Sequence, residues 1–292
     1  MGLIHKKTAG LLMSSILERA SEVFKVFAHL KGKKRSLAFV ILGIFCLGLA
    51  FLGYGQSARE PINRKDLYES LKKQPKSRLK KMQTAGQKAL AWIHLLEKGS
   101  LSLDKALRSP GQIPRRHVHF PKQDDVFDEI SLSLYYYHAH RGMEKGHFHL
   151  FLMEEAIDTA KPLFTSSRED GFSHLIAISV DEKSRPFKLF TTNQWVTNEN
   201  WYKAKDVIGF TEQFHIHGDK HDWATSQCLN ALVTLFGPQI EYLILKRDEK
   251  IKELAYEKKI DQKAVLEDTQ IELLSEMLID IDLQLELLEK LV

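Results

Sequence analysis

The chain has 292 residues, 43% of them hydrophobic and 27% charged, with a net charge of +4. That length supports one good-sized domain with appendages. A weak positive balance without zinc-finger spacing or an RNA-binding aromatic signature argues against a nucleic-acid partner, and two cysteines, Cys46 and Cys228, cannot build the disulfide framework of a stapled secreted domain.

Residues 1–36 form a basic N-terminal segment, read as an amphipathic helix over 3–30 or an unstructured tail. Ser36–Ala58 carries no charge, and its centre, Leu37–Gly55, is almost wholly apolar. About 20 such residues at roughly 1.5 Å each cross the hydrocarbon core of a bilayer. The pattern predicts a single-pass transmembrane helix over 37–56, meeting lipid through 37–55. Lys31, Lys33, Lys34 and Arg35 precede it, which favours a cytoplasmic N-terminus, an inner-membrane location and the main domain outside the cytoplasm. A basic helical and extended connector follows over 57–114. Its stretch 59–100 holds eleven Lys and Arg against four acids, a composition suited to lipid headgroups. A helix is predicted over 66–98, broken at Pro75, with Leu79, Met82, Ala89, Ile93 and Leu96 on one face. Three prolines make 100–124 an extended covering segment that brings in His117 and His119.

The core of the sequence is Tyr135–Phe151, YYYHAHRGMEKGHFHLF. Two His-x-His pairs, His138/His140 and His147/His149, flank a Gly-bracketed connector, which predicts a β-hairpin. Alternation puts each pair on one face. A symmetric closure sets His140 opposite His147 and His138 opposite His149, with all four rings on one side; a register shift of two preserves this, and a single bulge breaks it. Imidazoles so placed can converge on one ion at about 2.0–2.1 Å. Histidines that bind a ligand without metal, or that only fill a polar core, are the competing readings.

Glu154–Gly171 reads as a loop. His174–Val180 and Phe187–Thr192 are predicted as paired strands turned by Asp181–Pro186. His174 either faces the histidine cluster as a fifth member or is a strand-end polar residue. Asn193–Trp201 is dense in amides and indoles, which suits a pocket wall or a turn in which Thr197 or Asn198 caps the next helix. Helices are predicted over 203–214, 222–236, 238–258 and 262–291. The broad apolar face of the last favours packing on its predecessor, with dimerisation as the lesser option. His215, His217 and His221 form a further cluster at a helix end. The sheet core is thus assigned to 115–202 and a C-terminal helical part of the same domain to 203–292.

The blocks DDVFD, YYYHAHR, E-x-G-H-F-H, SHLIAISVD and LFTTNQWVT-x-E-x-W, with His119-Phe120-Pro121 upstream, resemble a bacterial domain-of-unknown-function family over Arg116–Leu245. His138, His140 and Glu144 also resemble the first cupin motif in spacing. Leu132 and Phe151 stand where that motif has glycines, and no second motif is present, so the likeness concerns chemistry and not fold.

The expected fold is α+β: an N-terminal transmembrane helix, then a small antiparallel sheet with a His-rich hairpin, packed with N- and C-terminal helices. His138, His140, His147 and His149 are the candidate ligands of Zn or Fe. Glu144 is the candidate general base or further ligand and Arg141 the anion-orienting residue; Asn193, Trp195 and His174 are candidate ligand contacts. This set is compatible with a metal-dependent hydrolase or oxygenase, or with a non-enzymatic metal or pH sensor.

Overall fold

The computed structural model describes residues 62–292 apart from 108–117, 122–124, 140–144, 159, 169 and 219–222. The expected leader and transmembrane helix, together with His117, His140, Arg141, Glu144 and His221, lie outside the described residues. Among the described residues no single helix is long and apolar enough to cross a membrane.

Helices α1 (Arg64–Lys72) and α2 (Lys76–Lys98) open the described chain. Asn63 caps α1 by accepting from the backbone N–H of Lys65 and Asp66, and Pro75 separates the two as its missing N–H requires. The predicted stripe of α2 is buried at every position. Seven strands follow in one antiparallel sheet: β1 (His119–Phe120), β2 (Val126–Asp128), β3 (Ser133–His138), β4 (Gly146–Met153), β5 (Phe172–Val180), β6 (Pro186–Thr192) and β7 (Leu273–Leu278). They run in the order β1-β3-β4-β5-β6-β7, with β2 also on the outer edge of β3. Between β6 and β7 come α3 (Gln194–Thr197), α4 (Ala204–Gln213), α5 (Trp223–Leu235), α6 (Gly237–Lys258) and α7 (Gln262–Leu266), and α8 (Ile281–Glu289) ends the chain. The expected α+β class with an antiparallel sheet is observed.

One sheet face carries the core. Tyr135, Tyr137, Phe148, Leu150, Ile176, Ile178 and Leu189 alternate toward the helices and join α2, α4, α5, α6 and α8 in a single apolar cluster. Gly86 sits where α2 meets α5 and α8. A Cβ there would lie 2.6 Å from a Leu285 methyl carbon, so a larger residue would require the Leu285 side chain to shift.

The helix expected over 262–291 is not formed. Its middle is strand β7, paired with β6 through Lys188↔Leu278, Phe190↔Glu276 and Thr191↔Ser275. Ser275 supplies the reason: its hydroxyl lies 2.7 Å from Thr191 Oγ1 and donates to Leu243 O on α6 at 2.8 Å, so the segment completes both the sheet and the helix layer. Asp280 then starts a new helix by accepting from Leu283 N–H. Leu274, Ile281, Leu285 and Leu288 of the supposed dimerisation face are buried within this chain.

Phe148 lies at the centre of the core face and is fully buried. Phe148→Ala is expected to lower unfolding free energy by about 3–5 kcal/mol in urea denaturation, through lost burial and the cavity left behind.

Candidate metal centre

The site grows from the opposite face of the same strands. β3 and β4 pair with His138↔His147 and Tyr136↔His149. This is the predicted hairpin shifted by two residues, so the shift leaves His138, His147 and His149 on one side, as the alternation rule demands. His138 Nε2 lies 2.6 Å from His147 Nε2. One ring nitrogen from each of His138, His147 and His149 falls within 4.8 Å of the others, a grouping able to hold a metal ion. His147 and His149 are almost completely buried, and His138 is half-buried.

His174 reaches this face by an irregularity. Simple alternation along β5 would put His174 with Ile176 and Ile178, toward the helices. The pairing of β4 with β5 shifts between Leu150↔Ile176 and Phe151↔His174, so Leu175 is an extra residue. That bulge sends Leu175 into the apolar core and turns His174 toward the histidines. His174 Nε2 lies 3.0 Å from His149 Nδ1, and its own Nδ1 is 3.4 Å from Thr192 Oγ1. With Nδ1 occupied by His174, His149 has Nε2 left for the other two rings. A ligand histidine fixed through its second nitrogen is the usual arrangement at protein metal sites.

Burial sets the charge state. It holds His149 well below the ordinary imidazole range, helped by the neighbouring rings of His147, His174 and His138. Burial and then the Arg247 guanidinium push His174 down to about 3. Both are neutral at pH 7, which leaves lone pairs on buried nitrogen. Glu199, wholly buried, accepts from His174 N–H at 2.7 Å, and burial raises its carboxyl to about 8 despite the nearby Arg247.

Aromatic rings enclose the group. Phe190 stands edge-on to His147 at 5.0 Å, and Tyr136 lies 5.2 Å from His149. His119, across from His138 in β1, stacks on Tyr136 at 3.8 Å, and its Nδ1 is 3.3 Å from Asp125 Oδ1. Other expected site residues have structural partners. Asn193 Nδ2 donates to Val265 O, its Oδ1 caps α3, and Trp195 Nε1 donates to Ile271 O. Neither Thr197 nor Asn198 caps α4; Ala204 N–H donates to Asp248 instead. His217 associates with Asp128 and His215 with His217, and neither with this group. Sequence reasoning missed Tyr136 and Glu199. Tyr136 follows from the same parity that selects His138, whereas Glu199 stands in the LFTTNQWVT-x-E-x-W block with nothing local to give its role.

Three comparisons with known proteins bear on this chain. Residues 83–279, more than half of it, match the family described as Domain of unknown function (DUF6969). Nothing among the curated proteins or the solved structures matches it significantly. The chain belongs to the DUF6969 family.

The buried groups define a pH optimum of stability. Between pH 4.5 and 6.5 the unfolded chain protonates His149 and His174, while the folded chain alone keeps the Glu199 proton. Of these three groups the unfolded state then binds one more proton, so they make stability rise with pH through this range. From 6.5 to 8 only Glu199 differs, the folded state holds the extra proton, and stability falls. Thermal unfolding of chelator-treated protein is therefore expected to peak near pH 6.5. Glu199→Gln is expected to abolish the fall on the alkaline side.

Proposed function

We propose that this member of the DUF6969 family is a membrane-anchored, metal-dependent enzyme whose centre is His138, His147 and His149. The observation that carries this reading is the convergence of three ring nitrogens within 4.8 Å on a buried sheet face. A nitrogen donor set of this kind suits Zn²⁺ with an open position, and Zn²⁺ when bound supplies a water ionisable near neutral pH and polarises a carbonyl. Hydrolysis is the reaction class that fits best; Fe²⁺ and oxygenation would need a carboxylate ligand, for which Glu144 is the candidate. The chain's own residues bind and orient: His174 fixes His149, and Tyr136 and Phe190 exclude water from the inner side. Arg141 would orient an anionic group of the substrate. The charge-free stretch 37–56 supports anchoring, with the N-terminus cytoplasmic.

A sensor is the second reading, and the His138–His147 contact favours it. Two ligands on one tetrahedral ion stand about 3.3 Å apart, given metal–nitrogen bonds of about 2.0–2.1 Å. At 2.6 Å the two rings instead share a proton, so metal entry must part them by about 0.7 Å. A sensor would bind metal with the same ligands and turn over no substrate.

Purified full-length protein, stripped and reloaded with Zn²⁺, is expected to cleave ester, amide or phosphoester probes. Chelation should abolish turnover and Zn²⁺ restore it. His147→Ala is expected to weaken binding at this centre by more than the roughly 10–100-fold that loss of a ligand's outer partner costs, because it removes one of three ligands. Retention of metal there in both His147→Ala and His149→Ala contradicts the proposal; binding without turnover on any probe leaves the sensor. Protease added to intact cells is expected to digest the main domain, and full protection would contradict the orientation.

A further inference from the structure

Among the described residues outside this centre, Phe214-His215-Ile216-His217 is a surface segment held by many side chains. The segment is extended: Phe214 and Ile216 are buried while His215 and His217 are exposed on the same side. Each of its last three residues has both backbone polar groups tied to a side chain. His215 N–H donates to Ser133 Oγ at 3.1 Å, and Ser131 Oγ donates to His215 O. Ile216 N–H donates to Asn230 Oδ1 at 2.9 Å, and Asn230 Nδ2 and Gln227 Nε2 donate to Ile216 O. His217 N–H donates to Asp128 Oδ2 at 2.6 Å, and Gln227 Nε2 donates to His217 O.

The displayed side chains are themselves arranged. Asp128 is buried and also accepts from the N–H of Ile130 and Ser131. Burial alone would raise its carboxyl, but these hydrogen bonds and those from His217 hold it far below the carboxylate range. Its oxygens lie 3.1 and 3.2 Å from His217 Nδ1. The proton therefore sits on Nδ1, and the lone pair of Nε2 points away from the carboxylate on a ring that is 48% exposed. His215 has its ring centroid 4.5 Å from that of His217, at an interplanar angle of 75°. Two imidazoles on one tetrahedral ion place their centroids about 5 Å apart, close to the spacing of this pair.

We propose that His215 and His217 form a second cation site, independent of the His138 centre, for a divalent transition metal of the Zn²⁺, Cu²⁺ or Ni²⁺ class. His217 Nε2 and one ring nitrogen of His215 are the ligands, water completes the shell, and Asp128 is a positioning residue that fixes the His217 tautomer. Imidazole nitrogen selects this class of ion over Mg²⁺ or Ca²⁺. A carboxylate behind a ligand histidine strengthens binding, and its loss costs about 10–100-fold in affinity.

The test is calorimetric titration of Zn²⁺ into chelator-stripped, full-length protein. Two equivalents are expected to bind wild type, and one to bind His215→Ala or His217→Ala. Both histidines project from a segment whose backbone bonds the substitutions leave in place, so folding, checked by circular dichroism, is expected to persist. Asp128→Asn should weaken the same site about 10–100-fold. Wild-type stoichiometry in both alanine variants overturns the proposal. So does a single wild-type equivalent lost only in His147→Ala, which would leave the His138 centre standing. A single equivalent lost only in His217→Ala supports the second site and removes the first, and no binding at all removes both.

Discussion

The pairing of β3 with β4 in one register is the constraint on which the site depends. Side chains alternate across a strand, so sliding either strand by one residue would carry its own histidines to the other face and separate them from those of its neighbour. The helix side prevents that slip. Tyr135, Tyr137, Phe148 and Leu150 are all fully buried there, and each would enter the histidine layer if the register moved by one. The apolar core thus does more than stabilise the fold; it fixes where three imidazoles project. The same residues that drive folding position the chemistry, and no separate scaffold is needed.

A second constraint acts at right angles to the first. The extra residue Leu175 breaks the alternation of β5 once, and the break lies beside the site. Without it His174 would sit in the apolar cluster, where a neutral imidazole would lack partners and be costly to bury. With it, His174 meets His149 and Thr192, and its backbone N–H meets Glu199. One bulge therefore converts a strand-end histidine into a support for a candidate ligand. It also brings a buried acid and two buried bases close together, and these oppose one another in the pH dependence of stability.

Much of this was legible from the sequence, for local reasons. The stripe of α2, the break at Pro75, the β5–β6 pair with its turn and the His-rich hairpin all announce themselves by spacing. The metal grouping followed from parity alone, which is why a register two residues off still gave the same face. The failures were non-local. Residues 271–292 have helical spacing, yet the open edge of β6 and the Ser275 bonds to Thr191 and Leu243 O draw the middle of that segment into the sheet. Tertiary demand outweighs periodicity in such short apolar runs. Glu199 and Asp128 stand within the sequence blocks that carry the family resemblance, but their pairings with His174 and His217 were invisible because the partners lie 25 and 89 positions away. Asn193 and Trp195 read as a pocket wall or a turn by composition, and in the fold their polar atoms have backbone partners.

The account turns on whether His138, His147 and His149 receive one ion together. X-ray absorption at the metal edge of Zn²⁺-loaded His217→Ala protein, in which only this centre remains, reads that directly. Three imidazole ligands at about 2.0–2.1 Å are expected. A first shell made mainly of oxygen, with the multiple-scattering signature of fewer than two imidazoles, would contradict it.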